Sequence, residues 1–161
     1  MFNCKNQLNA QHTKNEHSIL GLNIRCLKYH LDEFKVLLDT FDTRPDVIAL
    51  TETWMTADDD KALLGIEGYQ PIEANPRKIA KRRSGGVAFY VKNGIDYELV
   101  NYDSDIECSI IKLKYNQTDI KVICVIYRPE THRLTQFCND FEEPPFFLQT
   151  MKQDYSHLWL L

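Results

Sequence analysis

The chain has no Cys-x-x-Cys pair, and its five histidines (His12, His17, His30, His132 and His157) show no metal-ligand spacing. This argues against a metal site built from cysteine and histidine. Neither the P-loop nor the Rossmann glycine pattern occurs, so the two common glycine-rich phosphate cradles are excluded. No serine–histidine or cysteine–histidine arrangement supports nucleophilic catalysis. No apolar run approaches the length of a membrane span. Residues Met1–His17 are polar and lack the apolar stretch of a signal peptide. An excess of positive charge is also missing. The net charge is −4, so contact with nucleic acid must come from a local patch and not from the field of the whole molecule.

Five cysteines (Cys4, Cys26, Cys108, Cys124 and Cys138) make an odd number, and three of them sit in apolar segments. They read as buried, reduced thiols. The compartment is then reducing: intracellular, nuclear or cytoplasmic, and not secreted. Under that reading the sequon Asn116-Gln117-Thr118 is a turn and not a glycan site.

With 161 residues and 43% hydrophobic content, the chain can bury a core and makes one domain or most of one. Residues 1–17 show no periodicity and read as a disordered leader. Ser18–Ile24 is a short apolar run, a buried strand. Leu31, Phe34, Leu37, Leu38 and Phe41 fall at helical spacing, with Asp32 and Glu33 expected in the favourable first turn. Arg44-Pro45-Asp46 ends that helix, and Asp46–Thr51 is a second buried strand. Strand, helix and strand in this order predict an α/β layer.

Residues 55–61 are acidic loop or a short helical turn. Gly68–Ile72 reads as an edge strand containing Pro71. Val87–Lys92 is rich in β-formers, and Lys92-Asn93-Gly94 predicts a hairpin turn into Ile95–Val100. Glu107–Tyr115 and Ile120–Tyr127 predict a second hairpin. Beyond Pro129, residues 134–141 and 146–152 have helical character interrupted by Pro144-Pro145. Residues 157–161 begin a strand.

A few residues in this frame can carry chemistry. Glu52 lies just past a buried strand, where a carboxylate can ligate a hard divalent cation; a carboxylate facing water is the alternative. Asn23 ends the first strand and can bind backbone, a metal or a phosphate oxygen. Tyr127 and Arg128 end the second hairpin, and their hydroxyl and guanidinium suit phosphate oxygens; an ordinary strand-terminal aromatic is the other reading. Arg77, Lys78, Lys81, Arg82 and Arg83 place five cations in seven positions before Ser84-Gly85-Gly86. Such a loop either contacts a nucleic-acid backbone or is simply solvated.

Five blocks, in order, carry a resemblance. They are Ile19-Leu20-Gly21-Leu22-Asn23-Ile24-Arg25-Cys26-Leu27, Pro45-Asp46-Val47-Ile48-Ala49-Leu50-Thr51-Glu52-Thr53-Trp54, Gly68-Tyr69, Arg83-Ser84-Gly85-Gly86-Val87-Ala88-Phe89-Tyr90-Val91 and Val125-Ile126-Tyr127-Arg128-Pro129. Between about residues 18 and 129 they resemble the endonuclease/exonuclease/phosphatase family with the DNase-I-like fold. The likeness is closest to the endonuclease domains of non-LTR retrotransposons.

The resemblance implies an α+β layered sandwich. With residues 18–161 read as the N-terminal half of such a domain, it would be a truncated fold with one mostly complete β-sheet and flanking helices. It also implies a phosphodiesterase dependent on Mg2+ or Mn2+ and acting on DNA. Glu52 matches the metal-binding glutamate, Asn23 the active-site asparagine that also serves the metal, and Tyr127 the tyrosine at the scissile phosphate. Some members carry an acidic residue where this chain has Arg25, so one metal site at most, weakly held, is expected. The family's Gly-Asp-Phe-Asn and Ser-Asp-His motifs do not occur in these 161 residues. Little turnover and self-association through an exposed sheet face are therefore expected. The alternatives are a non-catalytic, nucleic-acid-binding remnant and a phosphatase of the same fold.

Overall fold

A computed structural model describes residues 18–76, 84–100, 107–114 and 120–128, together with Thr135 and the backbone of strand 158–160. The expected leader, the basic cluster at 77–83, the 116–119 turn and, apart from Thr135, the helical segments after Pro129 lie outside the described residues.

The elements follow in the order β1 (Ile19–Asn23), α1 (Leu27–Asp39), β2 (Val47–Thr51), a 3-10 turn (Lys61–Leu64), β3 (Glu73–Asn75), β4 (Val87–Val91), β5 (Tyr97–Val100), β6 (Glu107–Lys114), β7 (Ile120–Tyr127) and β8 (Leu158–Leu160). They build the layered α+β fold expected from the sequence, with two four-stranded sheets among the described residues where one mostly complete sheet was expected. The first sheet runs β1-β2-β4-β3 and the second β5-β6-β7-β8.

Burial on both faces explains the near-continuous apolar runs of β2 and β4. Ile48 and Leu50 of β2, with Ala88 and Tyr90 of β4, pack on the side of α1 with Leu27, Leu31, Phe34 and Leu38. Val47, Ala49, Val87, Phe89 and Val91 face the other way, onto Ile111, Leu113, Ile123 and Val125 of the second sheet. The period of two along each strand thus feeds two cores at once.

Three local expectations are corrected. The helix begins at Leu27, and no acidic residue occupies its first turn; Asp32 and Glu33 belong to the second. It starts early because Arg25 and Cys26 adopt left-handed backbone, with φ of 46° and 78°. This turn satisfies the Cys26 and Leu27 N–H groups on the carbonyls of Glu52 and Thr53, at 2.8 and 3.0 Å.

The Gly68–Ile72 strand is reduced to a single bridge between Tyr69 and Lys92, and regular pairing resumes only at Glu73. Pro71 has no N–H to donate, which breaks the ladder there. The Asn93-Gly94 turn does not fold β5 back on β4; β5 pairs with β6 in the other sheet. The side-chain amide of Gln70 donates to the carbonyls of Lys92 and Ile95, at 3.3 and 2.7 Å. These carbonyls are thereby satisfied without a β4–β5 ladder.

The β6–β7 hairpin stands as expected, with Glu107 paired to Tyr127 and Lys114 to Ile120. Its outward residues Cys108, Ile110, Val122 and Cys124 are all at most 6% exposed. These positions are shielded within one chain, so they do not provide the bare apolar face on which self-association was expected to rest.

Two outcomes follow from this packing. Phe89 is fully buried between the sheets, so Phe89→Ala is expected to cost about 3–5 kcal/mol in urea unfolding. A loss below about 1 kcal/mol would contradict the two-sheet packing. Burial, with a smaller contribution from Cys108, pushes the Cys124 thiol up to about 12. Only the thiolate reacts with alkylating agents. Peptide mapping after iodoacetamide treatment at mildly alkaline pH should therefore find Cys124 unlabelled in the folded protein and labelled in urea.

Candidate active site

The four strands of the first sheet end in one row. Asn23 is in register with Thr51, Thr51 with Val87, and Val87 with Asn75. Glu52 follows Thr51 directly, so the first two candidates of the sequence stand at adjacent strand ends. Three backbone bonds hold the loops after β1 and β2 together: Ile24 N–H to Thr51, Cys26 N–H to Glu52 and Leu27 N–H to Thr53. Asn23 is exposed at this end, and Glu52 is half-buried.

Glu52 and Trp54 both take left-handed backbone, with φ of 57° and 55°. Together with Arg25 and Cys26, they put four non-glycine residues in a costly region within two touching loops. Each such residue costs on the order of 1 kcal/mol, and clusters of them persist where surrounding structure holds them. The anchor is visible. Thr53 N–H donates to Gly86 carbonyl at 3.2 Å and Trp54 N–H to Gly85 carbonyl at 2.9 Å.

Both oxygens of the Glu52 carboxylate are oriented. Trp54 Nε1–H donates to Oε2 at 2.7 Å. Tyr127 Oη–H donates to Oε1, also at 2.7 Å and across 75 residues of sequence. Tyr127 reaches it from the end of β7, so this bond joins the two sheets. Neither donor carries charge, and each carboxylate oxygen has a second lone pair. The negative charge of Glu52 is thus aimed but not neutralised by these donors, which fits a hard divalent cation such as Mg2+ or Mn2+. Arg128 follows Tyr127 immediately and is exposed.

A further carboxylate stands beside this group. Glu107 begins β6, pairs with Tyr127 and is 8% exposed. Its Oε2 accepts from Gly86 N–H at 2.6 Å. Gly85 and Gly86 have φ of 85° and 82°, and a Cβ on Gly85 would lie 2.7 Å from Glu107 Oε1. The diglycine therefore serves two needs: left-handed backbone and room for a buried carboxylate.

Downstream, Asp59 steadies the loop. Its Oδ2 accepts from Thr56 N–H at 2.9 Å, and its Oδ1 meets Lys28 Nζ of α1 at 2.5 Å. Burial raises its pKa, but the Lys28 and Thr56 donors outweigh it and leave the carboxyl below its ordinary value.

Asn23, Glu52, Tyr127 and Arg128 are thus gathered at one end of the two sheets. Arg77, Lys78, Lys81, Arg82 and Arg83 lie outside the described residues. Two contributors are not evident from the sequence alone. Trp54 is visible in the Thr51-Glu52-Thr53-Trp54 block, but its bond to Glu52 depends on the left-handed turn. Glu107 is visible as the carboxylate that directly heads the apolar run Cys108-Ser109-Ile110-Ile111, a position in which an acid needs a buried partner.

Comparison with known proteins gives a consistent pattern. The profile of the Endonuclease/Exonuclease/phosphatase family matches residues 2–154. No curated protein sequence matches. An AP endonuclease from Leishmania major superposes with TM-score 0.58 at 17% identity, covering 85% of this chain and 47% of that one. The catalytic domain of human Nocturnin, with bound sulfate, gives 0.59 at 17%, covering 89% and 63%. A 3′ phosphatase from Neisseria bound to a product DNA hairpin gives 0.59 at 18%, covering 91% and 56%. At these identities the likeness establishes the fold. The chain spans roughly half to three-fifths of the solved chains it matches.

The tight fit around the diglycine has a direct consequence. Gly85→Ala combines a left-handed φ with a Cβ driven against the Glu107 carboxylate, and should lower stability by about 1–3 kcal/mol. A chemical denaturation curve matching that of the wild type would show that the loop can adapt freely.

Proposed function

The chain belongs to the endonuclease/exonuclease/phosphatase family, and we propose that it carries the metal- and phosphate-binding half of a DNA phosphodiesterase site of the retrotransposon type. The observation that supports this most is the pair of hydrogen bonds from the uncharged donors Tyr127 and Trp54 that aim the Glu52 carboxylate at the strand ends beside Asn23. A surface carboxylate has no reason to be held this way by strained backbone. The Thr51-Glu52-Thr53-Trp54 and Ser84–Tyr90 blocks favour the retrotransposon branch. DNA as substrate draws support from the basic cluster and from the Neisseria phosphatase, whose structure holds a DNA hairpin.

In this reading Glu52, with the Asn23 amide beside it, holds Mg2+ or Mn2+. The bound ion would supply positive charge against a phosphate oxygen. Tyr127 orients the carboxylate and presents its ring and hydroxyl toward the phosphate. The Arg128 fork can take further phosphate oxygens, while Arg77, Lys78, Lys81, Arg82 and Arg83 supply counter-charge along the DNA backbone.

Hydrolysis also needs an acceptor for the proton of the attacking water, a contribution of about 100- to 10,000-fold. The one imidazole among the described residues, His30, lies on α1 with its Nδ1 3.1 Å from Glu33 Oε2. No histidine–aspartate pair stands at the strand ends among the described residues. The polypeptide of these 161 residues is therefore proposed to bind metal and DNA while turning over very slowly.

Titration with MnCl2 followed by electron paramagnetic resonance tests the core of this reading. Mn2+ should bind the wild-type chain weakly, and Glu52→Gln should abolish binding; equal binding by both would sink it. With Mg2+ present, plasmid nicking by the same chain should not exceed that of Glu52→Gln. DNA affinity should fall as salt rises. Replacing Arg82 and Arg83 should flatten that dependence by about one unit of slope for each phosphate left without its cation.

A further inference from the structure

We propose that Glu107 is a positioning residue, which sets the turn carrying Glu52 by gripping the diglycine behind it. The inference uses the proposed function only where it speaks of metal.

The connection is short and continuous. Glu107 Oε2 accepts from Gly86 N–H at 2.6 Å. Gly86 carbonyl accepts from Thr53 N–H, and Gly85 carbonyl from Trp54 N–H, at 3.2 and 2.9 Å. Thr53 and Trp54 are the two residues after Glu52, and Trp54 returns a hydrogen bond to the Glu52 carboxylate. On the other side, Glu107 is the cross-strand partner of Tyr127, whose hydroxyl donates to the second Glu52 oxygen. The ring closes: one strand pair presents both the tyrosine that touches Glu52 and the carboxylate that fixes the main chain behind it.

Chemistry favours a positioning role over a mere filling of space. A carboxylate 8% exposed is costly unless charge-assisted bonds satisfy it. An apolar residue at the same place would leave Gly86 N–H unsatisfied. It would also release the two carbonyls that hold φ at 57° and 55° in Glu52 and Trp54. Gly85 has no Cβ at the point where the carboxylate lies, so the loop is shaped to this side chain. The same end of β6 also receives Asn75 Nδ2–H on the Cys108 carbonyl at 2.6 Å. Both roots of the segment between β3 and β4 are therefore tied there.

The test reads the Trp54 indole N–H by 1H–15N NMR and Mn2+ affinity by titration. The two tryptophan indoles are told apart with Trp159→Phe. Glu107→Asp keeps the charge but is one methylene too short to reach Gly86. It should move the Trp54 indole resonance and weaken Mn2+ binding about tenfold, the scale on which outer-shell partners act. Glu107→Gln can still accept from Gly86 N–H and should keep both close to wild type. Asp46→Asn serves as a control. Asp46 accepts from Ser18 N–H and Oγ–H at the opposite end of the sheet, so its replacement should lower stability without moving either readout.

A folded Glu107→Asp with an unmoved indole resonance overturns the assignment. So does an equal shift in Asp46→Asn, which would mark a global effect. If the wild type binds no Mn2+, the metal reading fails by itself, and the indole resonance still decides the role of Glu107.

Discussion

The hydrogen bond from Tyr127 Oη to Glu52 Oε1 is the contact on which the rest of the site depends. It is the described side-chain link between the end of β7 and the loop after β2. It fixes where the two sheets meet at their open end and, with Trp54, how the Glu52 carboxylate points. Without it the apolar inter-sheet core would still hold the layers together, but nothing in that core specifies the orientation of a carboxylate. The core supplies stability and the polar ring supplies geometry.

That ring is held against local backbone preference. Arg25, Cys26, Glu52 and Trp54 all have positive φ without being glycine, and their two loops are joined by backbone hydrogen bonds from Cys26 N–H to Glu52 and from Leu27 N–H to Thr53. Left-handed backbone at non-glycine positions persists when neighbours over-determine it, and it concentrates at functional sites. Here the neighbours are identifiable: the carbonyls of Gly85 and Gly86 on one side, the N–H groups of Cys26 and Leu27 on the other, and the buried Glu107 carboxylate behind. The opposite end of the sheet has an ordinary arrangement, in which Asp46 accepts from Ser18 and pairs with Lys92 at 3.2 Å. The contrast between the two ends is the structural ground for placing the proposed site along the row of Asn23, Thr51, Val87 and Asn75.

Much of the fold was legible because burial leaves a plain record. Val47–Leu50 and Val87–Val91 are apolar at every position, and each is buried on two faces. The β6–β7 hairpin was readable from two apolar runs around a polar turn. The helix start was not readable, since Arg25 and Cys26 carry no glycine to advertise a left-handed turn. Nor was the sheet change after Gly94, which rests on the Gln70 amide, a partner 22 residues away in sequence. Glu52, Asn23 and Tyr127 emerged as candidates from their places at strand ends and from family blocks. Glu107 did not, because the meaning of an acid at the head of an apolar strand appears only once the diglycine is seen packed against it. The basic residues at 77–83 were legible as charge alone.

Family membership gives the ancestry of the site, and the geometry shows which part of it these residues build: an aimed carboxylate, its two neutral donors and a strand-end amide. The most direct test is a double-mutant cycle in urea unfolding on Glu52→Ala, Tyr127→Phe and the pair. A charge-assisted bond of this kind predicts a coupling energy of about 1.5–3 kcal/mol between the two positions. Effects that add within about 0.3–0.5 kcal/mol, as for independent sites, would show that the two sheets are not joined through these side chains.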